Sequence, residues 1–153
     1  MTRFARMLAA VIVLASATGG CSDPAGQGPA GPSDSGPETT TIEVSYDELL
    51  SQKRVTRAVT LRVGDFVQIS LGSNASTGFR WTADMQISDP EVLAQTGHEA
   101  VGPASGRPGE AGRQVWVLQA MSAGTTTVRT GYGRPWEGGE KDTWTFTADV
   151  TVK

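Results

Sequence analysis

The chain has 153 residues, 13 basic and 16 acidic side chains and a net charge of −3, which fits one compact domain. The excess of acidic groups argues against a nucleic-acid-binding protein, because such a protein needs a basic surface to bind phosphates. There is one cysteine, Cys21, and one histidine, His98. A zinc site needs several such ligands, so the sequence predicts neither a metal nor another cofactor.

The first 20 residues have the pattern of an export signal. Arg3 and Arg6 form a basic start, residues 7–17 form an apolar run, and small residues precede Cys21. The apolar run is too short for a membrane-spanning helix. Removal of residues 1–20 would leave 11 basic and 16 acidic groups, a net charge of −5.

Cys21 stands directly after small residues, and the segment before it resembles a bacterial lipoprotein signal. Acyl chains on Cys21 would anchor the exported protein to the outer face of the cell membrane. Thr18 departs from this pattern, since leucine is commonest at that position. The alternatives are a free or buried cysteine, or ordinary signal cleavage near residues 15–17.

Residues 21–38 are predicted to form a flexible tether that begins at Cys21. They are mostly glycine, proline, serine and aspartate, without a large apolar side chain. Such a segment cannot bury enough surface to offset its chain entropy. Roughly 17 residues of this kind span about 20–25 Å. The folded domain is therefore expected over residues 39–153, which is long enough for an independent core.

From residue 39 on, apolar and polar residues alternate in short runs, as in half-buried strands. The predicted strands are residues 40–46, 58–63, 65–71, 79–83, 91–97, 114–120, 126–132 and 142–152. Turns are predicted at Asp89-Pro90, at Ser122-Ala123-Gly124 and, in a hairpin-like form, at Gly64-Asp65. Residues 46–52 are the only helical candidate. Seven to eight short antiparallel strands indicate an all-β fold, an immunoglobulin-like β-sandwich.

The alternation also predicts the core, because side chains two residues apart share a face of a strand. The tryptophans of the strands are expected in this core rather than in a binding site. The inward set, taken strand by strand, is Val67, Ile69, Leu71, Trp81, Trp116, Leu118, Trp144, Phe146, Ala148, Val150 and Val152.

Residues suited to catalysis are sparse. With Cys21 assigned to lipid, no Cys–His nucleophile pair can form, and His98 lies in a polar stretch without a nucleophile signature. No glycine-rich loop leads from a strand into a helix, so a phosphate site is unsupported. The carboxylates of Glu137 and Glu140, on a wet loop, are typical of solvated charge. The sequence therefore indicates a binding module and not an enzyme.

Three of the connections between strands contain residues that a simple turn would not need. Residues 74–78 present short polar groups and then a glycine that permits a sharp turn. Residues 102–113 are rich in glycine and proline. Residues 131–139 hold Trp136 outside the strand alternation, next to Pro135, and an exposed tryptophan there is a candidate anchor. In an antiparallel order all three can meet at one end of a sandwich.

These connections resemble three motifs of the chagasin-like inhibitors of papain-type cysteine peptidases. The family's Asn-Pro-Thr-Thr-Gly-aromatic-x-Trp is matched by residues 74–81, Asn-Ala-Ser-Thr-Gly-Phe-Arg-Trp. Its Gly-x-Gly-Gly is matched loosely by residues 109–112, Gly-Glu-Ala-Gly, and its Arg-Pro-Trp fully by residues 134–136. The motifs follow the family's order, separated by predicted strands, and the resemblance covers about residues 41–153.

The resemblance implies a domain whose three loops enter the active-site cleft of a papain-like cysteine peptidase, with reversible, non-covalent inhibition. The chain is expected to be a monomer. Ser76 and Thr77 would approach the catalytic region. Residues 109–112 would run along one side of the cleft as extended backbone, and Arg134 and Trp136 would pack on the other. The implied peptidase-binding residues are Asn74, Ser76, Thr77, Gly78, Gly109, Glu110, Ala111, Gly112, Arg134, Pro135 and Trp136.

Three positions depart from the family motifs. Ala75 replaces a proline, which would loosen the first loop, and Ser76 replaces a threonine. Ala111 replaces a glycine and disfavours positive φ angles there. The alternative function is that of a cell-envelope adhesion or assembly module, which would use the same loop end to bind a non-peptidase protein. The altered second loop supports that alternative.

Overall fold

The computed structural model describes residues 36–153. The predicted signal peptide, Cys21 and most of the predicted tether lie outside these residues. The described part holds one α-helix, α1 (Tyr46–Ser51), and nine strands. The strands are β1 (Thr39–Val44), β2 (Arg54–Leu61), β3 (Phe66–Ser73), β4 (Arg80–Trp81), β5 (Gln86–Ile87), β6 (Leu93–Val101), β7 (Gly112–Ala120), β8 (Gly124–Gly133) and β9 (Trp144–Val152).

The strands form two sheets that pack face to face. One sheet has the order β1-β3-β7-β6, and the other has the order β2-β9-β8-β4, with β5 paired to β8. This confirms the predicted all-β, immunoglobulin-like sandwich. Both sheets are mixed and not purely antiparallel, because β1 pairs with β3, and β2 with β9, in parallel. These parallel pairs arise because the chain changes sheet after β1 and again after β2.

The turn at Gly64-Asp65 differs from its prediction. It carries the chain from β2 in one sheet to β3 in the other, so it is a crossing between sheets and not a hairpin. Gly64 supplies the positive φ angle of 92° that the turn requires. The carboxylate of Asp65 accepts hydrogen bonds from the backbone N–H groups of Arg62 and Glu38, both at 3.0 Å.

The same turn holds both ends of the folded domain. The backbone N–H of Phe66 donates to the carbonyl oxygen of Glu38 at 2.7 Å, just before β1 begins. The backbone N–H of Val63 donates to the carbonyl oxygen of Lys153 at 3.2 Å, just after β9 ends. Glu38 and Lys153 therefore lie at one end of the sandwich, beside the β2–β3 turn.

Helix α1 confirms the predicted helical segment and covers the other end of the sandwich. Its start is capped by Ser45, whose hydroxyl oxygen accepts from the backbone N–H of Glu48 at 3.1 Å. Leu49 is fully buried. The first turn passes so close to β3 that a Cβ at Gly72 would overlap the backbone of Tyr46. The helix is too short and polar to cross a membrane, and the described residues contain no other helix that could.

The core contains every residue that the alternation predicted. Trp144 is the one member that is only partly buried; its ring packs edge-on against Phe79, with ring centroids 5.4 Å apart. Tyr132 joins this aromatic group in contact with Trp81, at a centroid distance of 5.0 Å. Large aromatic rings therefore fill the end of the sandwich where β4 and β9 begin and β8 ends.

Candidate functional site

Three loops meet at the end of the sandwich opposite the β2–β3 turn. We name them the first loop (residues 74–79, between β3 and β4), the second loop (residues 102–111, between β6 and β7) and the third loop (residues 134–143, between β8 and β9). The register brings them together, since Ser73 pairs with Gly112 in one sheet and Arg80 pairs with Gly133 in the other. The predicted gathering of the three connections is confirmed.

The first loop is held in shape by its own hydrogen bonds. Asn74 precedes a single 3-10 turn, Ala75–Thr77, and its side-chain oxygen accepts from the backbone N–H of Ser76 at 3.1 Å and from the Ser76 hydroxyl at 2.6 Å. The Thr77 hydroxyl donates to the carbonyl oxygen of Asn74 at 2.7 Å. Ala75, Ser76 and Thr77 are exposed. The loop tip is therefore exposed yet conformationally fixed.

Two tyrosines, Tyr132 and Tyr46, lie on the sandwich side of the first loop and support it. The backbone N–H of Asn74 donates to the hydroxyl oxygen of the buried Tyr132 at 2.9 Å. Tyr46 of α1 lies beside this hydroxyl. Burial, together with the charge and hydrogen bond of Tyr132, raises the pKa of Tyr46, while a hydrogen bond with Thr77 lowers it in part. The Tyr46 phenol thus remains protonated at neutral pH and able to hydrogen bond.

The second loop is joined to the first through Asn74. The side-chain amide of Asn74 donates to the carbonyl oxygen of Gly109 at 2.9 Å. Gly109 has a φ angle of 88°, and the N–H of Glu110 donates to the carbonyl oxygen of Arg107 at 3.4 Å. The resemblance implied extended backbone over residues 109–112, and this is wrong for the start of that stretch. The backbone turns at Gly109, and β7 begins only at Gly112.

The second loop also contains an internal ion pair. The carboxylate of Glu110 lies 3.7 Å from the guanidinium of Arg107 and accepts from the hydroxyl of Ser105. Ala111 is exposed and leads into Gly112, where a Cβ would overlap the carbonyl of Val101. The glycine at 112 therefore lets β6 and β7 approach closely as they leave the loop.

The third loop is organised by Lys141. Its ammonium group donates to the carbonyl oxygens of Arg134 at 2.9 Å and of Trp136 at 2.7 Å. The backbone N–H of Gly139 also donates to the Trp136 carbonyl, at 3.1 Å. Pro135 and Glu137 flank the tryptophan and are exposed. The loop thus forms a closed turn with Trp136 at its outer edge.

Trp136 lies between solvent and the first loop. Trp136 is 52% exposed, although tryptophan is highly buried on average in folded proteins. The inner edge of the indole lies against Gly78, whose φ angle is 79°. The guanidinium of Arg134 lies over the ring of Phe79, 4.6 Å from its centroid, and 5.9 Å from that of Trp136. Arg134 therefore packs the start of the third loop against Phe79 of the first loop.

The structure thus brings all eleven predicted site residues to one surface, in three groups that contact one another through Asn74, Gly78 and Trp136. Sequence reasoning did not identify the residues that support this surface. Tyr132 was assigned to a strand and to the start of the third connection, Tyr46 to a strand and to the helical candidate, and Lys141 to no element, but none of them was given a part in the site. Their signal is visible only in three dimensions, because each acts on a residue of another element.

His98 lies apart from the loop tips, on β6, which continues beyond the predicted end of this strand at residue 97. It pairs in register with Trp116 of β7, and the ring centroids are 5.0 Å apart. The imidazole is exposed at the sheet surface. Its neighbour in the structure is therefore an aromatic ring and not the hydroxyls of Ser76 or Thr77.

Comparisons with known proteins agree with this arrangement. The family model "Chagasin family peptidase inhibitor I42" matches residues 60–150. The chain is 30% identical over 105 residues to amoebiasin-2 of Entamoeba histolytica, covering 69% of this chain and 85% of that protein. It is 33% identical over 91 residues to chagasin of Trypanosoma cruzi, covering 58% of this chain and 83% of that protein.

A solved structure shares the fold. The crystal structure of the cysteine protease inhibitor EhICP2 from Entamoeba histolytica matches with a TM-score of 0.56 and 23% sequence identity, over 76% of this chain and 97% of that one. The family model spans more than half of the chain and includes all three loops. The protein therefore belongs to the chagasin family of peptidase inhibitors.

Proposed function

We propose that the domain inhibits papain-like cysteine peptidases reversibly and without a covalent bond, by placing its three loops in the active-site cleft. One observation carries this proposal most directly. Three separate connections form a single surface whose edge is the half-exposed Trp136, packed on Gly78. The proteins that the chain resembles include a cysteine protease inhibitor, which supports the same class of target.

The first loop is suited to enter a cleft because its shape is set before binding. Both hydroxyls at its tip are already hydrogen-bonded to Asn74. Fewer side-chain and backbone rotations are therefore lost when the loop docks, and less binding free energy is spent on ordering it. These hydroxyls would contact the peptidase and fit its cleft without reacting. Among the described residues, no base lies beside them to activate them as nucleophiles.

Trp136 would be the main apolar anchor. A half-exposed indole offers a large rigid surface, and burial of such residues dominates many interfaces. Pro135 before it and the Lys141 bonds to the loop carbonyls limit the motion of the indole in the free protein. The second loop, joined to Asn74, would contact the opposite wall of the cleft with its turn at Gly109.

We also propose that the protein acts outside the cytoplasm, anchored to the outer face of the membrane by lipid on Cys21. The sequence pattern of residues 1–21 supports this: a basic start, an apolar run and small residues before the cysteine. Metabolic labelling with a radioactive or clickable fatty acid tests it. Label should enter the wild-type protein and not Cys21→Ser; equal labelling of both would contradict the anchor.

The inhibitory function is tested with the chain from residue 22 onward against a panel of papain-like peptidases. We expect concentration-dependent, reversible inhibition that is recovered on dilution. Trp136→Ala should raise the inhibition constant by about 100-fold, because a hot-spot tryptophan contributes on that scale. Trp136→Phe is the matched control that keeps an aromatic ring and should lose less. If no member of the panel is inhibited by the wild-type chain, the proposed function is wrong.

A further inference from the structure

A groove of about 570 Å³ lies between the first and second loops. Asn74 and Ser76 line one wall, and Pro103 and Gly109 line the other. The groove opens at the same end of the sandwich as the loop tips. A partner that receives the loops would therefore place the rim of its cleft over this groove.

Two arginines leave the groove with uncompensated positive charge. Arg80 and Arg113 both line it, and neither forms an ion pair with any residue between 36 and 153. The other two charged residues of the lining, Arg107 and Glu110, neutralise each other. Arg80 also lines a second groove, beside Arg134 of the third loop.

The side-chain amide of Gln114 adds a hydrogen-bond donor to the same groove. Gln114 lines the groove although it is only 8% exposed. Its side-chain oxygen accepts from the backbone N–H of Trp81 at 3.1 Å, so its NH₂ group points away from Trp81. That NH₂ makes no hydrogen bond within the described part of the chain and is not among the fully buried polar atoms without a partner, so an acceptor in the groove can reach it.

The positive groove contrasts with the rest of the domain. Residues 36–153 contain more acidic than basic groups. Elsewhere the guanidinium groups of Arg57, Arg62 and Arg129 are paired with carboxylates. Local positive charge on an acidic body steers and selects partners that carry negative charge at the matching place.

We infer that Arg80 and the amide of Gln114 form a subsite for a carboxylate on the rim of the target peptidase's cleft, on the side contacted by the second loop. Arg113, which starts on the opposite face of β7 from Gln114, adds positive charge at the edge of this subsite. This inference rests on the proposed function and names a preference within it. The planar guanidinium of Arg80 is suited to bind an aspartate or glutamate through two hydrogen bonds. The subsite would favour papain-like peptidases with an acidic rim and speed their association.

The test measures association rates and inhibition constants for Arg80→Gln and Arg113→Gln against papain-like peptidases with and without rim carboxylates. Lys153→Gln is the control, because it removes one exposed positive charge at the opposite end of the domain. For an acid-rimmed peptidase, each arginine variant should slow association and weaken inhibition by about tenfold, and the loss should shrink as salt is added. Lys153→Gln should behave like the wild type.

Two further variants sharpen the result. Changing the facing rim carboxylate of the peptidase to an amide should remove the effect of Arg80→Gln, since the two changes remove one contact. Gln114→Glu keeps the oxygen that accepts from Trp81 and replaces the NH₂ donor with a second oxygen. The new carboxylate should repel the rim carboxylate of an acid-rimmed peptidase and so weaken inhibition of that peptidase. Its thermal unfolding reports whether the domain stays folded.

The outcomes separate the two proposals. If the wild-type chain inhibits but Arg80→Gln and Arg113→Gln match Lys153→Gln on every peptidase, the subsite is wrong and the inhibitory function stands. If the wild-type chain inhibits no papain-like peptidase, the proposed function fails and the subsite fails with it. Coupling between Arg80 and a single rim carboxylate in the double-mutant comparison supports both.

Discussion

The indole of Trp136 lies so close to Gly78 that a Cβ atom at residue 78 would sit 2.6 Å from the Cη2 atom of the tryptophan. Gly78 ends the 3-10 turn of the first loop, and Trp136 is the edge of the third loop. The contact therefore joins two loops from different strand pairs at the place where a partner would bind. The contact requires glycine at residue 78 for two reasons: the φ angle there is 79°, and the indole leaves no space for a side chain.

Gly78→Ala should separate the first and third loops. The substitution strains the backbone by about 1–2 kcal/mol and also forces the indole to move. We expect a lower melting temperature together with weaker inhibition. Gly138→Ala is a matched control, since Gly138 has a φ angle of 73° and open space around it. If both variants lose the same amount of inhibition, the contact with Trp136 does not matter.

Ala75→Pro should stabilise the first loop. Ala75 is the first residue of the 3-10 turn, where proline is well tolerated, and Asn74 before it has an extended backbone with ψ of 99°. The gain should be about 0.4–1 kcal/mol in the free energy of unfolding, with equal or stronger inhibition. Ser76→Pro is the contrasting variant, because it removes the N–H that donates to Asn74, and should destabilise. A destabilised Ala75→Pro protein would contradict this geometry.

Asn74→Asp should uncouple the first loop from the second. The aspartate keeps the oxygen that accepts from Ser76, but it loses the amide donor to the carbonyl oxygen of Gly109. Loss of that hydrogen bond is worth about 0.5–1.5 kcal/mol, so inhibition should weaken by roughly three- to tenfold. Hydrogen exchange should rise at Gly109 and Glu110 while the core stays protected. Unchanged exchange in the second loop would show that Asn74 does not hold it.

Asp65 should make the stability of the domain depend on acid pH. Hydrogen bonds from the backbone N–H groups of Glu38 and Arg62 lower the pKa of this carboxyl below its ordinary value. A carboxyl with a lowered pKa contributes stability that is full above the unfolded pKa of about 4 and is lost as the pH falls through the folded pKa. Urea unfolding between pH 7 and pH 2 measures this loss.

In Asp65→Asn the same turn is present without the titrating group. Its stability should therefore be lower than that of the wild type at pH 7 and should change less as the pH falls below about 4. The difference between the two proteins should shrink in acid. A wild-type pH profile parallel to that of Asp65→Asn would assign the acid sensitivity to other carboxylates.

The alternation of residues was enough to predict the sandwich and its core, because burial of one strand face is a local pattern. Val67, Ile69 and Leu71 of β3 are all fully buried, as that pattern requires. The order of strands was not predictable in the same way. Gly64 and Asp65 have the residues of a turn, and only the packing of β2 and β3 in different sheets decides between a hairpin and a crossing.

The site was predictable to the extent that short motifs describe it. Residues 74–78 and 134–136 occupy loops that meet, as the resemblance implied, whereas the turn at Gly109 depends on a hydrogen bond from Asn74, 35 residues earlier. No motif describes the subsite of Arg80 and Gln114, since Arg80 occupies the variable position of the first motif and Gln114 lies outside all three. It exists because β4 of one sheet meets β7 of the other through the bond from Trp81 to Gln114.

Both ends of the folded domain lie beside the β2–β3 turn, whereas the three loops lie at the far end of β3, a strand of eight residues that spans about 23 Å. The domain can therefore be displayed by either terminus with its loops directed outward. Fusion to another domain, capture on a sensor surface or insertion into a host loop would all hold the protein by the end that does not bind. The same orientation would let several copies crowd side by side on a support, each with its loops accessible to a peptidase in solution.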